Sequence, residues 1–259
     1  MYREPLDVVP LWGLFVAHCL VGGLAMRAGD RFGRWRHARA TDEKEAPVGA
    51  MVAAILGLLA FLLAFTFGMA ASRYDARRLA VLDEANAVGT TYLRTRLLPE
   101  PYREQTARLL QEYVDLRAHG IEEIASTVAR SEELQGRLWS QAVAAAEKNP
   151  NPVLTGLFVQ SLNETINLHA RRVMLGLRSR IPLAIWLGLF ALFCIGMASI
   201  GYQAGLAGTR RSPAMFAIVL AFAGVLVMIA DLDRGREGLL TVNQEAMTDL
   251  QRSIRAQTP

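Results

Sequence analysis

The side chains with the clearest capacity for chemistry lie in and just after one apolar stretch of the sequence, residues 47–70. Phe61 and Phe65 are four residues apart, so on a helix they stack on one face. Three arginines follow them within roughly two to four helical turns: Arg73, Arg77 and Arg78. Around an oligomer axis, the phenylalanines would form a hydrophobic collar that gates by dewetting, and the arginines would attract anions. The same pattern is also typical of a lipid-facing helix with arginines among the headgroups.

Other titratable groups give weaker signals. His18 lies inside an apolar stretch, where a polar side chain is either functional or hydrogen-bonded to a neighbouring helix. Asp231 and Asp233 point apart on a helix, which favours pairing with arginines over a shared metal ion. Glu84 is interpreted in the same way, as a partner for an arginine of the central segment. No metal site and no cofactor are predicted.

The sequence carries no phosphate-binding loop, no zinc-hydrolase motif and no nucleophile elbow, so an enzyme is the least favoured class. The two cysteines, Cys19 and Cys194, both lie in apolar stretches and are interpreted as packing residues. The formal net charge is only +4, and most basic residues flank apolar stretches. This distribution is typical of membrane topology signals and excludes the basic, aromatic face of a nucleic-acid-binding protein.

Hydrophobic residues make up 52% of the chain and are concentrated in four almost uncharged stretches. Each stretch is long enough to cross a bilayer as a helix. The sequence therefore predicts an all-α membrane protein with two transmembrane hairpins, one in residues 1–70 and one in residues 181–230, followed by a C-terminal tail over residues 231–259. The predicted spans are residues 8–26, 47–70, 181–202 and 213–230.

The segment between the hairpins, residues 71–180, has helical periodicity and no strand-like alternation. Because no proline occurs between Val48 and Leu98, the second span is predicted to continue as one helix through Leu97. A turn at residues 98–101, a helix end at Gly120 and a breaker at residues 149–152 would divide the remainder. The resulting amphipathic helices predict an extramembrane bundle. The last of them would feed the third span through Arg178 and Arg180, with Pro182 either kinking it or starting a new helix.

The loops predicted at residues 27–46 and 203–212 carry eight basic residues, whereas the N-terminal tail carries one. The positive-inside rule therefore places both short loops in the cytoplasm and the bundle outside it. Seven arginines that flank the second and third spans on the bundle side favour the opposite orientation: Arg73, Arg77, Arg78, Arg171, Arg172, Arg178 and Arg180.

Several short motifs occur in a characteristic order along the chain. Phe61-Leu62-Leu63-Ala64-Phe65 leads into Tyr74-Asp75. Glu84-Ala85-Asn86-Ala87-Val88-Gly89 is followed by Tyr92-Leu93, Leu97-Leu98-Pro99 and Tyr113. Asp231-Leu232-Asp233-Arg234 is followed by Gly238. Together these motifs resemble the bacterial bestrophin-like domain family over nearly the whole chain. Gly235 stands where members often have a proline, which predicts that the preceding helix runs further here.

Bestrophins proper are pentameric anion channels, and none of their pore motifs occurs in this sequence. The resemblance implies a homo-oligomeric protein of the lipid bilayer in a bacterial inner membrane, with an anion channel as the leading hypothesis. The alternative is a scaffold or sensor that transports nothing and whose bundle binds a partner. A channel predicts basic or polar positions converging on a symmetry axis. A scaffold predicts tightly packed spans and an apolar patch on the bundle.

Overall fold

The computed structural model describes residues 9–39, 45–118, 124–148, 152–208, 213–234 and 238–257. Within these ranges the regular structure is entirely helical, which confirms the predicted all-α class. The helices, in chain order, are α1 Leu11–Arg39, α2 Glu45–Arg94, α3 Tyr102–Ala118, α4 Ile124–Lys148, α5 Pro152–Leu177, α6 Leu183–Leu206, α7 Pro213–Arg234 and α8 Glu245–Ala256.

Some sequence predictions concern residues outside the described ranges. These are the start of the first span at residue 8, the helix end at Gly120, most of the breaker at residues 149–152, the basic pair Arg210 and Arg211, and Gly235.

Four of the described helices are long and apolar enough to cross a membrane, namely α1, α2, α6 and α7. Residues Arg3–Tyr74 and Arg180–Thr241 form one compact unit, called here the apolar unit. Its core contains Leu59, Leu63, Phe193, Met197 and Leu226, all essentially inaccessible to solvent. Each predicted span lies largely within one of these helices, because about 20 apolar residues in a bilayer satisfy their backbone hydrogen bonds most simply as a helix.

The contact between α1 and α6 depends on four glycines, at Gly29 and Gly33 of α1 and at Gly201 and Gly205 of α6. A Cβ built on Gly29 would lie 1.9 Å from the Ala198 carbonyl oxygen, and one built on Gly201 would lie 1.9 Å from the Met26 carbonyl oxygen. The two backbones can approach this closely only because both small-residue motifs lack side chains at the crossing. The pairing of neighbouring spans into two hairpins stays a prediction.

The prediction of a loop starting at Arg27 is wrong for residues 27–39, because α1 continues as a helix through Arg39. This part of the chain contains no proline, and Gly33 extends the close contact with α6 beyond the apolar stretch. Packing against a second helix therefore keeps a charged segment helical.

The predicted long helix after the second span is confirmed. Helix α2 has 50 residues and is followed directly by a 3₁₀ turn at Thr95–Leu97. By contrast, α5 ends at Leu177, and residues 179–182 are not helical before α6 begins. Of the two alternatives for Pro182, the structure shows a new helix, with Pro182 as its N-cap residue.

Residues Asp75–Ser179 and Val242–Pro259 form a second compact unit, called here the polar unit. Its core is built around Leu110, Tyr113, Leu138, Phe158 and Leu162, from α3, α4 and α5. Helix α8, which lies within the predicted tail, belongs to this unit. Its buried residues Met247 and Ile254 join the core, and Arg255 pairs with Asp115 of α3 at 2.9 Å.

Candidate functional site

The exposed face of α2 carries the predicted collar residues. Phe61 and Phe65 are each 66% exposed, and no side chain within the described part of the protein covers them fully. Leu58 on the same side is also exposed, whereas other neighbours are small: a Cβ built on Gly57 or Gly68 would contact nothing within 4 Å. The face is therefore free to meet lipid or another copy of the chain.

The three arginines predicted to attract anions differ in accessibility. Arg78 is exposed, Arg73 is half-buried, and Arg77 is buried with 5% of its surface accessible. One terminal nitrogen of Arg73, Nη1, is buried and has no hydrogen-bond partner among the described residues. Of the three arginines, Arg78 is therefore the most accessible from outside the protein.

A buried ionic cluster lies in the polar unit, around Glu84 of α2. The Glu84 carboxylate is fully inaccessible and accepts hydrogen bonds from two helices. From α3, Tyr113 Oη donates to Oε1 at 2.5 Å and Arg117 Nη2 donates to Oε2 at 3.1 Å. From α5, Arg172 Nη1 donates to Oε2. The prediction that Glu84 pairs with an arginine is thus confirmed, and it pairs with two, Arg117 and Arg172.

A second set of side chains surrounds this cluster. The remaining amino group of Arg172 donates to the Gln244 side chain at 2.5 Å, just before α8. Tyr113 Oη lies 3.0 Å from His169 Nδ1 and 3.5 Å from Gln135 Nε2. Since the tyrosine hydroxyl donates to Glu84, it accepts from both, so His169 carries its proton on Nδ1. The cluster thereby connects α2, α3, α4, α5 and the segment before α8.

The electrostatics of the cluster favour one charge state. Burial opposes ionisation of Glu84, but the hydrogen bond with His169 and the charges of Arg172 and Arg117 outweigh it, so the pKa of the carboxyl lies well below its usual range. Burial, together with the Glu84 charge, raises the pKa of Tyr113 well above its usual range. At neutral pH the cluster therefore contains one carboxylate and two guanidinium groups.

A polar cleft lies beside this cluster on the surface of the polar unit. It has a volume of about 710 Å³ and is formed by α2 and α5. Asn86 and Thr90 of α2 face Gln160, Asn163 and Glu164 of α5 across it, and the ion pair between Asp83 and Arg171 lies at its edge. Such a lining can hold water and hydrated ions without selecting strongly for one sign of charge.

The remaining candidates have structural partners. Asp233 accepts a hydrogen bond from the Ile181 amide at 3.0 Å, and Asp231 accepts one from the Leu239 amide at 3.0 Å. Next to it, Gly238 adopts a φ of +151°, and a Cβ there would lie 1.8 Å from Asp231 Oδ1. Within the described ranges, no group of histidine, cysteine and acidic side chains is arranged to hold a metal ion.

His18 and the two cysteines also have local surroundings that account for them. His18 Nδ1 bonds the Leu14 carbonyl of its own helix at 2.7 Å, and its ring meets Phe190 edge-on at 5.9 Å. The sequence-based alternative of a bond to a neighbouring helix is therefore replaced by one within α1. Cys19 and Cys194 are half-buried free thiols in the spans.

The model of the Bestrophin-like domain matches residues 20–247. The chain belongs to the bestrophin-like domain family. No curated protein sequence matches it significantly.

Solved structures show the same fold. A bacterial bestrophin homologue from Klebsiella pneumoniae superposes with a TM-score of 0.70 at 12% identity, covering 96% of this chain and 98% of that one. Another variant of that homologue gives a TM-score of 0.66 at 14% identity, with 95% and 99% covered. A further membrane protein gives 0.65 at 14% identity, with 96% and 98% covered. At these sequence identities the superpositions show a shared fold and nothing more specific.

The ionic cluster of this bestrophin-like chain was only partly visible in the sequence. The apolar stripe of α3 runs from Tyr102 to Tyr113, and Arg117 continues it one turn later. An arginine on a buried stripe implies a buried counter-ion. Sequence reasoning missed Arg117, although this signal could have found it, whereas the roles of His169, Arg172 and Gln244 came only from the structure.

Proposed function

We propose that this bestrophin-like protein forms a homo-oligomeric anion channel in which α2 lines the permeation path. The observation that carries the proposal is the exposed phenylalanine face of a continuous helix in a member of this family. Because Phe61 and Phe65 lie one turn apart, identical faces around an axis would make two adjacent hydrophobic rings. A ring of this kind closes a pore to ions by excluding water and opens with a small increase in radius.

The composition of the α2 face supports contact between copies. At 100° per residue, six exposed positions fall within an arc of about 80°: Ala50, Ala54, Gly57, Phe61, Ala64 and Gly68. A lipid-facing helix has no need of small side chains, whereas helices that associate in a membrane are enriched in them. We infer that α2 helices of neighbouring copies approach closely, with the phenylalanines directed toward the axis between them.

Arg78 would contribute the preference for anions. At 100° per residue Arg78 lies about 100–140° around α2 from the two phenylalanines, so an exposed arginine in each copy would raise the local anion concentration near the path without lining it, and more strongly at low salt. The half-buried Arg73 and buried Arg77 would add to the positive potential without contacting the ion.

Chloride efflux from liposomes containing the purified protein tests the collar. Phe65→Ala should raise the efflux several-fold, because the smaller side chain removes the dewetted constriction. Phe216→Ala is the matched control, since Phe216 of α7 is exposed to a similar degree but does not belong to the α2 face; it should leave the efflux unchanged. Arg78→Glu should reduce the preference for chloride over sodium.

The alternative, a scaffold or sensor, has one observation in its favour. Trp139 and Val143 lie one turn apart on α4, and both are exposed on the polar unit. Paired apolar residues at helical spacing are the kind of surface on which a partner helix docks. Absence of chloride efflux from wild-type liposomes, or efflux that Phe65→Ala and Phe216→Ala change equally, would reject the channel in favour of this alternative.

A further inference from the structure

The end of α1 presents a face that no other part of the described structure occupies. Leu20 and Leu24 are exposed on the apolar part of the helix, and the same face continues into Arg27, Arg31 and Trp35. At 100° per residue these five positions lie within an arc of about 80°. The stripe that meets lipid along the span therefore becomes basic and aromatic where the span ends.

The depth of the arginines follows from the helix rise. At 1.5 Å per residue, Arg27 and Arg31 lie roughly 24 and 30 Å along the axis from Leu11, the first residue of α1. The hydrocarbon core of a bilayer is about 30 Å thick. Arg31 would thus lie at the headgroup layer, and Arg27, one turn closer to the core, would extend its long side chain to the same depth, where phospholipids carry their phosphates.

Neither arginine has a carboxylate partner among the described residues, although α1 does contain one acidic side chain. That residue, Asp30, is buried and pairs with Arg34 at 3.0 Å. Arg27 and Arg31 remain exposed, one helical turn apart, on the outward stripe. Two planar guanidinium groups at that spacing match the oxygen atoms of a phosphodiester, which arginine binds in a bidentate manner.

The aromatic residues beside them are held in a fixed arrangement. Trp35 stacks on Phe32 with ring centroids 5.6 Å apart, Phe32 stacks on Tyr202 of α6 at 5.5 Å, and the Arg39 guanidinium lies 4.5 Å from the Trp35 ring. Tryptophan and arginine together are typical of positions that sit at the membrane–water interface. By the same helix rise Trp35 lies roughly 6 Å beyond Arg31, so the stack gives a lipid headgroup an aromatic wall on its water-facing side, next to the two charges.

We infer that Arg27, Arg31 and Trp35 form a binding site for the phosphate headgroup of an anionic phospholipid. The positive charge of the site, with no carboxylate opposite it among the described residues, favours an anionic over a zwitterionic headgroup. The site belongs to the apolar unit and is independent of the proposed channel activity, because it involves no residue of the α2 face.

Native mass spectrometry of the full chain in neutral detergent tests the site, with phosphatidylglycerol and phosphatidylcholine as separate titrants. Wild type should bind phosphatidylglycerol more tightly than phosphatidylcholine. Arg27→Gln with Arg31→Gln should weaken phosphatidylglycerol binding about twenty-five-fold, since each basic side chain near anionic lipid contributes about 1 kcal/mol, roughly a five-fold factor. Arg27→Lys with Arg31→Lys should retain part of the affinity and rule out a loss of folding.

Arg103→Gln with Arg108→Gln is the matched control, because both arginines are exposed on α3 of the polar unit. It should leave lipid binding unchanged. Equal affinity of wild type for the two lipids, or full phosphatidylglycerol binding by the double glutamine variant, would overturn the proposal. Displacement of the lipid by millimolar inorganic phosphate would instead indicate a site for the free anion. If the double glutamine variant changed the mass of the oligomer and left lipid binding unchanged, the outward stripe of α1 would be a contact between copies of the chain.

Discussion

Glu84 is a carboxylate enclosed by two arginines, a tyrosine and a histidine, with no access to solvent. The Glu84 carboxylate stabilises the fold by neutralising Arg117 and Arg172, because these two guanidinium groups would otherwise be buried without a counter-ion. Glu84→Gln should therefore lower the free energy of unfolding by about 3 kcal/mol or more. Glu104→Gln, which removes an exposed ion pair with Arg108, should change it by less than about 1 kcal/mol. Denaturant unfolding in detergent, followed by far-UV circular dichroism, provides the measurement, and equal losses in both variants would contradict a structural role for the cluster.

The same carboxylate predicts the dependence of stability on pH. Because the pKa of Glu84 is lowered in the folded state, its contribution is fully present above the pKa of an unfolded glutamate, about 4.3, and is lost as the pH falls through the folded value. The difference in unfolding free energy between wild type and Glu84→Gln should stay constant from neutral pH to about pH 5 and narrow below about pH 4. A difference that grows on acidification would show that the carboxyl is protonated in the folded protein.

At the scale of helices, the contact between α1 and α6 depends on side chains that are absent. Gly29→Ala would place a Cβ 1.9 Å from the Ala198 carbonyl oxygen, so one backbone must move. We expect a loss of about 3 kcal/mol, the upper end of overpacking costs, because backbone yields less readily than a side chain. Gly23 lies on the same helix, and a Cβ there would have nothing within 4 Å. Gly23→Ala should therefore leave the free energy of unfolding unchanged or raise it slightly. Thermal unfolding of the two variants in detergent compares them, and similar melting temperatures would show that α1 and α6 separate more easily than this geometry implies.

At the scale of the whole molecule, the positive-inside rule predicts the orientation in the membrane from the charge of the two short loops. With both short loops in the cytoplasm, a cysteine at position 39 should be protected from an impermeant maleimide in intact cells, and one at position 120 should react. Arg39→Cys and Gly120→Cys would be made separately in a background with Cys19→Ser and Cys194→Ser. The reverse labelling pattern would place the polar unit in the cytoplasm, as the seven arginines flanking the second and third spans would favour.

The sequence determined the four apolar helices, the long α2 and the all-α class, because each depends on local composition. About 20 consecutive apolar residues specify a spanning helix wherever they occur, and the absence of proline through Leu98 lets α2 continue. The family could also be inferred at this level, since its motifs follow one another along the chain. The exposed pair Phe61 and Phe65 was identified by spacing alone.

Which side chains contact one another depends on how the helices pack and cannot be derived from local sequence. Glu84 bonds partners that are 29, 33 and 88 residues away, and periodicity cannot show which of the many arginines come to it. Arg77 and Arg78 are adjacent in sequence, yet one is buried and the other exposed, because neighbours on a helix point in different directions. The helical continuation of α1 to Arg39 and the docking of α8 are stabilised by contacts with α6 and α3, and such contacts can order charged segments whose own sequence gives them little reason to pack.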